Sequence, residues 1–174
     1  MMYKKNWEQT QEKFKNYWKQ QNTGRPLMCV IARKPEIEPY SEGKPVEGGC
    51  RDVICQGKYY NLPEELKWKD MDDKYLDADR VVARYRQFCE THEFLGESFP
   101  NLDVDFGPGS LAAYLGSDIG FKEDTVWFKP CLEDWEEVPE FRFDPDSKWF
   151  QKHLEFVKRC KELVGDDFLI DMPD

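Results

Sequence analysis

Apolar residues recur along this chain in two rhythms, one helical and one extended, and the rhythms alternate. Over residues 4–20, Trp7, Phe14, Tyr17 and Trp18 fall at helical spacing, and Thr23-Gly24 stops the helix they predict. Pro26 then opens an unbroken apolar run, Leu27 to Ala32. Short runs of this kind suit a strand covered on both faces, as in a parallel sheet. Residues 33–75 lose the periodicity at Pro35, Pro39, Gly43, Pro45 and Gly48-Gly49. The expectation there is a long loop, with a small hairpin over residues 53–60, and loops of this length usually carry function. A helix is predicted from about Asp77 to His92, with Val81, Val82, Tyr85, Phe88 and Cys89 as its buried stripe.

The stretch Asn101 to Gly116 organises the second half of the chain. Apolar and acidic residues alternate up to Phe106, the chain breaks at Gly107-Pro108-Gly109, and a helical run resumes at Ser110. A strand tip, a glycine turn and a helix start bring side chains and backbone amides to one point, the usual place for ligands in α/β proteins. Val126-Trp127-Phe128 is a short strand ended by Pro130, and Asp144-Pro145 supplies a cap and first turn for a helix running to Leu163. Gly165 stops that helix, and Phe168-Leu169-Ile170 reads as a last buried strand.

Strands and helices thus alternate, which points to an α/β fold with parallel strands joined by helical crossovers. The last strand lacks the covering helix that should come after it. Four strands are half of a (β/α)8 barrel, whose usual length is roughly 250 residues. The expectation is one domain: an N-terminal helix over 1–24, then about four βα units over 25–174 as the N-terminal part of a TIM-type barrel. The rival is a complete small open sheet.

Composition narrows the function classes. The chain has 174 residues and a net charge of −10, which argues against nucleic acid, because phosphate binding needs clustered Lys and Arg. The charge is uneven: Glu133 to Asp146 holds seven carboxylates and one arginine, while the first 22 residues carry five lysines against two glutamates. Six cysteines without a CxxC pair look like reduced thiols of a cytoplasmic protein. The longest apolar run is far short of a membrane span, and the N-terminus has no apolar signal core.

Several segments, in order and spacing, resemble one family. They are Thr23 to Leu27, Phe99 to Leu102, Gly107-Pro108-Gly109 with Ala112 to Gly116, Glu123 to Phe128, and Asp167 to Asp174. Together they resemble the uroporphyrinogen decarboxylase superfamily, in the bacterial branch that lies beside corrinoid-dependent methyltransferases, over the first half of its length. The resemblance implies a (β/α)8 barrel with a cleft at the C-terminal mouth of its strands. It also implies either decarboxylation of an acetate side chain by Arg and Asp, or zinc-assisted methyl transfer from a corrinoid protein to a thiol. After the first strand this chain reads Arg33-Lys34-Pro35-Glu36, without the decarboxylases' Arg-Gln-Ala-Gly-Arg-Tyr motif, which argues against uroporphyrinogen itself. The family's zinc ligands lie in its second half. No cofactor is therefore expected within this chain, with zinc a property of the full-length form. The partners implied are a small-molecule substrate, a corrinoid protein and the remaining half of the barrel.

Position along these elements selects the candidate residues. Arg33 ends the first strand and could hold a carboxylate bidentately. Asp103 and Asp105 share a strand face and, as paired carboxylates, could hold a cation or act as acid and base. Gly107 and Gly109, with the amides of Gly109 and Ser110, could receive an anion at the helix start, where Ser110 is also placed to cap. Asp124 and Trp127 lie just before and within the strand at 126–128, with Trp127 a wall for a planar ligand or a core residue. Asp171 and Asp174 stand where barrel enzymes place working groups. Cys89 with His92, and His153 with Cys160, have too few neighbouring ligands for a structural zinc and are read as packing residues. Two other classes remain open: a carbohydrate-active protein using carboxylates and aromatic rings, and a binding fragment with no chemistry.

Overall fold

A computed structural model describes residues 1–21, 24–37, 62–123, 125–132, 134, 136 and 142–171. The expected hairpin over 53–60, Asp124, Asp174 and much of the acidic segment lie outside the described residues.

The first helix, α1 (Trp7–Trp18), is shorter than the periodicity predicts. Trp7 and Phe14 meet Phe99 at ring-centroid distances of 5.2 and 5.6 Å, while Tyr17 and Trp18 stay exposed and meet each other edge to face. Strand β1 (Cys29–Arg33) pairs antiparallel with β2 (His92–Gly96), with Cys29 opposite Gly96 and Arg33 opposite His92. Its burial also differs from the expectation for an apolar run. Cys29 and Val30 are exposed although they point to opposite faces, and packing against the core begins at Ile31, opposite Phe94.

Within the predicted loop, residues 64–66 form one 3₁₀ turn, and α2 (Met71–Tyr75) comes after it. Asp70 caps α2 by accepting the Asp73 amide at 2.8 Å, and Asp77 caps α3 (Ala78–Thr91) by accepting the Arg80 amide at 3.1 Å. These acidic caps satisfy donors that a helix start leaves orphaned.

Strand β3 (Asn101–Leu102) leads through the glycine turn to α4 (Ser110–Tyr114). The chain then makes an antiparallel hairpin of β4 (Ile119–Phe121) and β5 (Val126–Phe128). The strand expected at 126–128 is therefore half of a hairpin, with a partner that the pattern does not reveal. Helix α5 (Lys148–Val164) begins after Ser147 rather than at Asp144-Pro145, where the Asp144 carboxylate instead closes a local turn on the Asp146 amide at 2.9 Å. Gly165, at φ +54°, ends it, and β6 (Leu169–Ile170) returns parallel to β3, with Asn101 opposite Leu169 and Leu102 opposite Ile170.

Helices α3 and α5 pack together over the β3–β6 pair. Val82, Tyr85 and Phe88 of α3 meet Phe156, Cys160 and Val164 of α5 in one apolar cluster that includes Phe106 and Phe168. Cys89 and Cys160 are free thiols inside this cluster, and burial raises the pKa of both. His92 is likewise buried, stacked on Phe88 at 4.1 Å. Among the described residues the sheets are three two-stranded pairs, and β3–β6 is the parallel one. No described helix is long and apolar enough to cross a membrane.

Candidate functional site

The β3–β6 pair carries carboxylates at its C-terminal end. Asp103 succeeds β3 and Asp171 succeeds β6, so both stand one step beyond the last paired residues, Leu102 and Ile170. The pairing continues into this step, since the Asp171 amide donates to the Leu102 carbonyl at 2.8 Å. Asn101 bridges the two strands by donating its side-chain amide to the Asp171 carboxylate. Asp103 and Asp105 are half-buried, and each accepts a backbone amide two residues on: Asp105 N–H at 3.2 Å and Gly107 N–H at 2.6 Å. Side chains of this type fold the backbone back on itself and so shape the turn.

The glycine turn is packed from above by the hairpin. A β-carbon on Gly107 would lie 3.1 Å from Cβ of Val126, and one on Gly109 would lie 2.6 Å from the Phe128 ring. Gly107 also sits at φ +113°, where side chains are strained. Replacing Gly109 with Ala is expected to cost about 1–3 kcal/mol by overpacking, measured by urea unfolding. The amide of Ser110 donates to the Gly107 carbonyl at 3.3 Å, and its hydroxyl donates to the same carbonyl at 2.9 Å. Ser110 is thus the first residue of α4 and a buried brace for the turn, with Gly109 at the cap position.

Below the turn lies a relay with no local signal in the sequence. His153 of α5 is 2% exposed, and its Nε2 is 2.7 Å from the Val104 carbonyl oxygen. A carbonyl only accepts, so Nε2 carries the proton, and in the neutral ring Nδ1 is then an acceptor. The Tyr114 hydroxyl donates to that Nδ1 at 2.6 Å. Phe106 stacks on the imidazole at 4.2 Å and 17°. Burial holds the His153 pKa below its ordinary value and raises that of Tyr114. Tyr114 and His153 are 39 positions apart in sequence, and they meet because α4 and α5 pack together beside the segment that carries Val104.

Tyr114, His153 and Asp171 also line a cavity of about 550 Å³ between α5 and β6. Its walls are mostly apolar: Phe150, Leu154, Val157 and Val164 from the helix, Leu169 and Ile170 from the strand.

The remaining predicted residues lie apart from this end. Arg33 belongs to the β1–β2 ribbon, a different sheet, and donates to the Ile37 carbonyl. Trp127 stands opposite Gly120 and is 63% exposed, so it is not a core residue. Asp124 and Asp174 are outside the described residues. Among the described residues no group of three or more His, Cys, Asp or Glu side chains could hold a metal ion. Compared with known proteins, the chain matches no family model, no curated protein and no solved structure.

Proposed function

We propose that this chain forms the N-terminal part of a uroporphyrinogen decarboxylase-like barrel. In its full-length form, it would transfer a methyl group in corrinoid-linked chemistry or act on a small carboxylated ligand. The observation that carries this reading is the shared placement of Asp103 and Asp171 at the C-terminal ends of two adjacent parallel strands. Barrel enzymes place working residues at that end because the loops there converge on one cleft. Asp105, two residues beyond Asp103, adds a third carboxylate to the same end. One of the group serves as acid or base while another orients the ligand. Zinc, in this reading, is bound by residues of the second half.

The test uses the full-length product. It is assayed for bound zinc, for methyl transfer from a methylated corrinoid to a thiol, and for release of carbon dioxide from small carboxylic acids. Asp103→Asn and Asp171→Asn are each expected to lower turnover about 100-fold or more. A full-length product inert in all three assays, or variants as active as the parent, would remove the reading.

A further inference from the structure

A polar cavity of about 330 Å³ lies between α1 and the segment that leads into β1. Glu97, 1% exposed, reaches it from the end of β2. Arg25 donates to both Glu97 oxygens and Lys13 to one of them, each at 2.7 Å. Both cations line the cavity and are 51% exposed. The buried Lys4 adds a third positive charge within electrostatic reach of Glu97 and Lys13. Among the described residues of the cavity wall, Glu97 is the one carboxylate. The cluster therefore holds three cations against one anion, in a chain whose net charge is −10. Neutral donors converge on the same space. Asn16 stands about one helical turn beyond Lys13 and shares its face of α1. Gln20, at φ +57°, takes the left-handed position that usually belongs to glycine after a helix. The Gln21 amide then closes back on the Asn16 carbonyl at 2.8 Å, and both side chains line the cavity. Neither side-chain amide bonds to another described residue.

We infer that this cavity binds a small oxyanion, a carboxylate or a phosphate group, with Lys13 and Arg25 supplying charge and the Asn16 and Gln21 amides supplying hydrogen bonds. Two features separate it from a solvated basic surface. Glu97 already fixes both long cationic side chains, so an arriving anion meets them in place and little side-chain entropy remains to be lost. The surplus charge is also confined to a cavity at the small end of the range for ligand pockets, which excludes an extended polyanion. Pro26 and Leu27 add a short apolar wall. The inference goes beyond the proposed function. Glu97 precedes β3 and Asp103 succeeds it, so this cavity and the carboxylates of the barrel reading belong to opposite ends of that strand.

The test titrates the chain with inorganic phosphate and, separately, with succinate, at pH 7 and constant ionic strength, and follows amide chemical shifts by NMR. Saturable shifts are expected at the side-chain amides of Asn16 and Gln21 and at the backbone of Arg25, with a dissociation constant of about 1 mM. Lys13→Gln removes one charge and leaves Arg25 on Glu97, and is expected to weaken binding about tenfold. Asn16→Ala leaves the Glu97 cluster untouched and is expected to weaken it about fivefold. Saturation by phosphate alone, or by succinate alone, supports the site and names the group it takes.

Shifts that grow without saturating for both anions would overturn the inference. So would shifts spread over the surface lysines rather than gathered at Asn16, Gln21 and Arg25. An affinity unchanged by either substitution would overturn it too. These outcomes are separate from the enzymatic test, since anion binding here involves no turnover and survives a full-length protein without methyl transfer or decarboxylation.

Discussion

Glu97→Ala is expected to lower the stability of this protein by about 2–3 kcal/mol, a drop of about 5–10 °C in Tm for a chain of this size. Glu97 is 1% exposed, yet its carboxylate is fully engaged. Arg25 grips both oxygens at 2.7 Å, Lys13 donates at 2.7 Å, and the Met28 amide donates at 2.9 Å. These contacts tie α1 and the segment before β1 to the end of β2. Lys4, 4% exposed, adds a second tie by donating to the Phe94 and Gly96 carbonyls, both at 2.8 Å. Removing the carboxylate would also take from that buried ammonium the negative charge that favours its protonated form. The figure stays below that for breaking a fully buried pair, because Arg25 and Lys13 are each 51% exposed and water would reclaim them.

The pH dependence gives an independent check. The hydrogen bonds from Arg25 and Lys13 hold the Glu97 carboxyl well below the ordinary carboxylate range. A depressed folded pKa contributes stability that is complete above the unfolded value, about 4.3, and is lost as pH falls through the folded value. Asp73 behaves alike: despite the opposing effect of its burial, hydrogen bonds from Arg80 and Arg84 bring its pKa down to about 2. Urea unfolding at pH 7 and at pH 3 should show the gap between the parent and Glu97→Gln narrowing in acid. An equal gap at both pH values would mean that the ion cluster does not act as its geometry indicates.

His153→Ala is the second large effect, about 3 kcal/mol or more. The truncation opens a cavity beneath Phe106, removes the donor to the Val104 carbonyl and strands the Tyr114 hydroxyl. Tyr114→Phe removes one hydrogen bond while keeping the ring, and should cost about 1 kcal/mol. The two residues touch, so the double variant should cost less than the sum. The relay has its own pH signature. Burial lowers the folded pKa of His153, so its neutral form stabilises the fold above the unfolded value of about 6.5, and that contribution fades as pH falls below it. His92 shifts in the same direction and for the same cause, so His153→Ala should remove part of this slope and leave the rest. A slope between pH 7 and pH 5 unchanged by the substitution would show that His153 is not held neutral.

Where chain segments become regular is legible in the order of apolar and polar residues alone. Helical spacing marked α3 and α5 closely, because a helix writes its buried face at a fixed interval, and at α3 its Asp cap stands beside it. The glycine break, Ser110 and the carboxylates around it were legible for a related reason: turn chemistry is local. Partnership was not local. The apolar run at residues 27–32 looked like a strand covered on both faces, yet it pairs antiparallel with residues 92–96, the first of which the pattern assigned to a helix end. Val126 to Phe128 looked like a strand of the main sheet and instead folds onto residues 119–121, covering Gly107 and Gly109. Packing between distant segments puts Arg33 in a different sheet from Asp103, sets Asp171 beside Asp103, and brings His153 to Tyr114. Periodicity records which side of an element avoids water. It does not record which other element covers that side, because contacts between distant positions leave no interval in the chain.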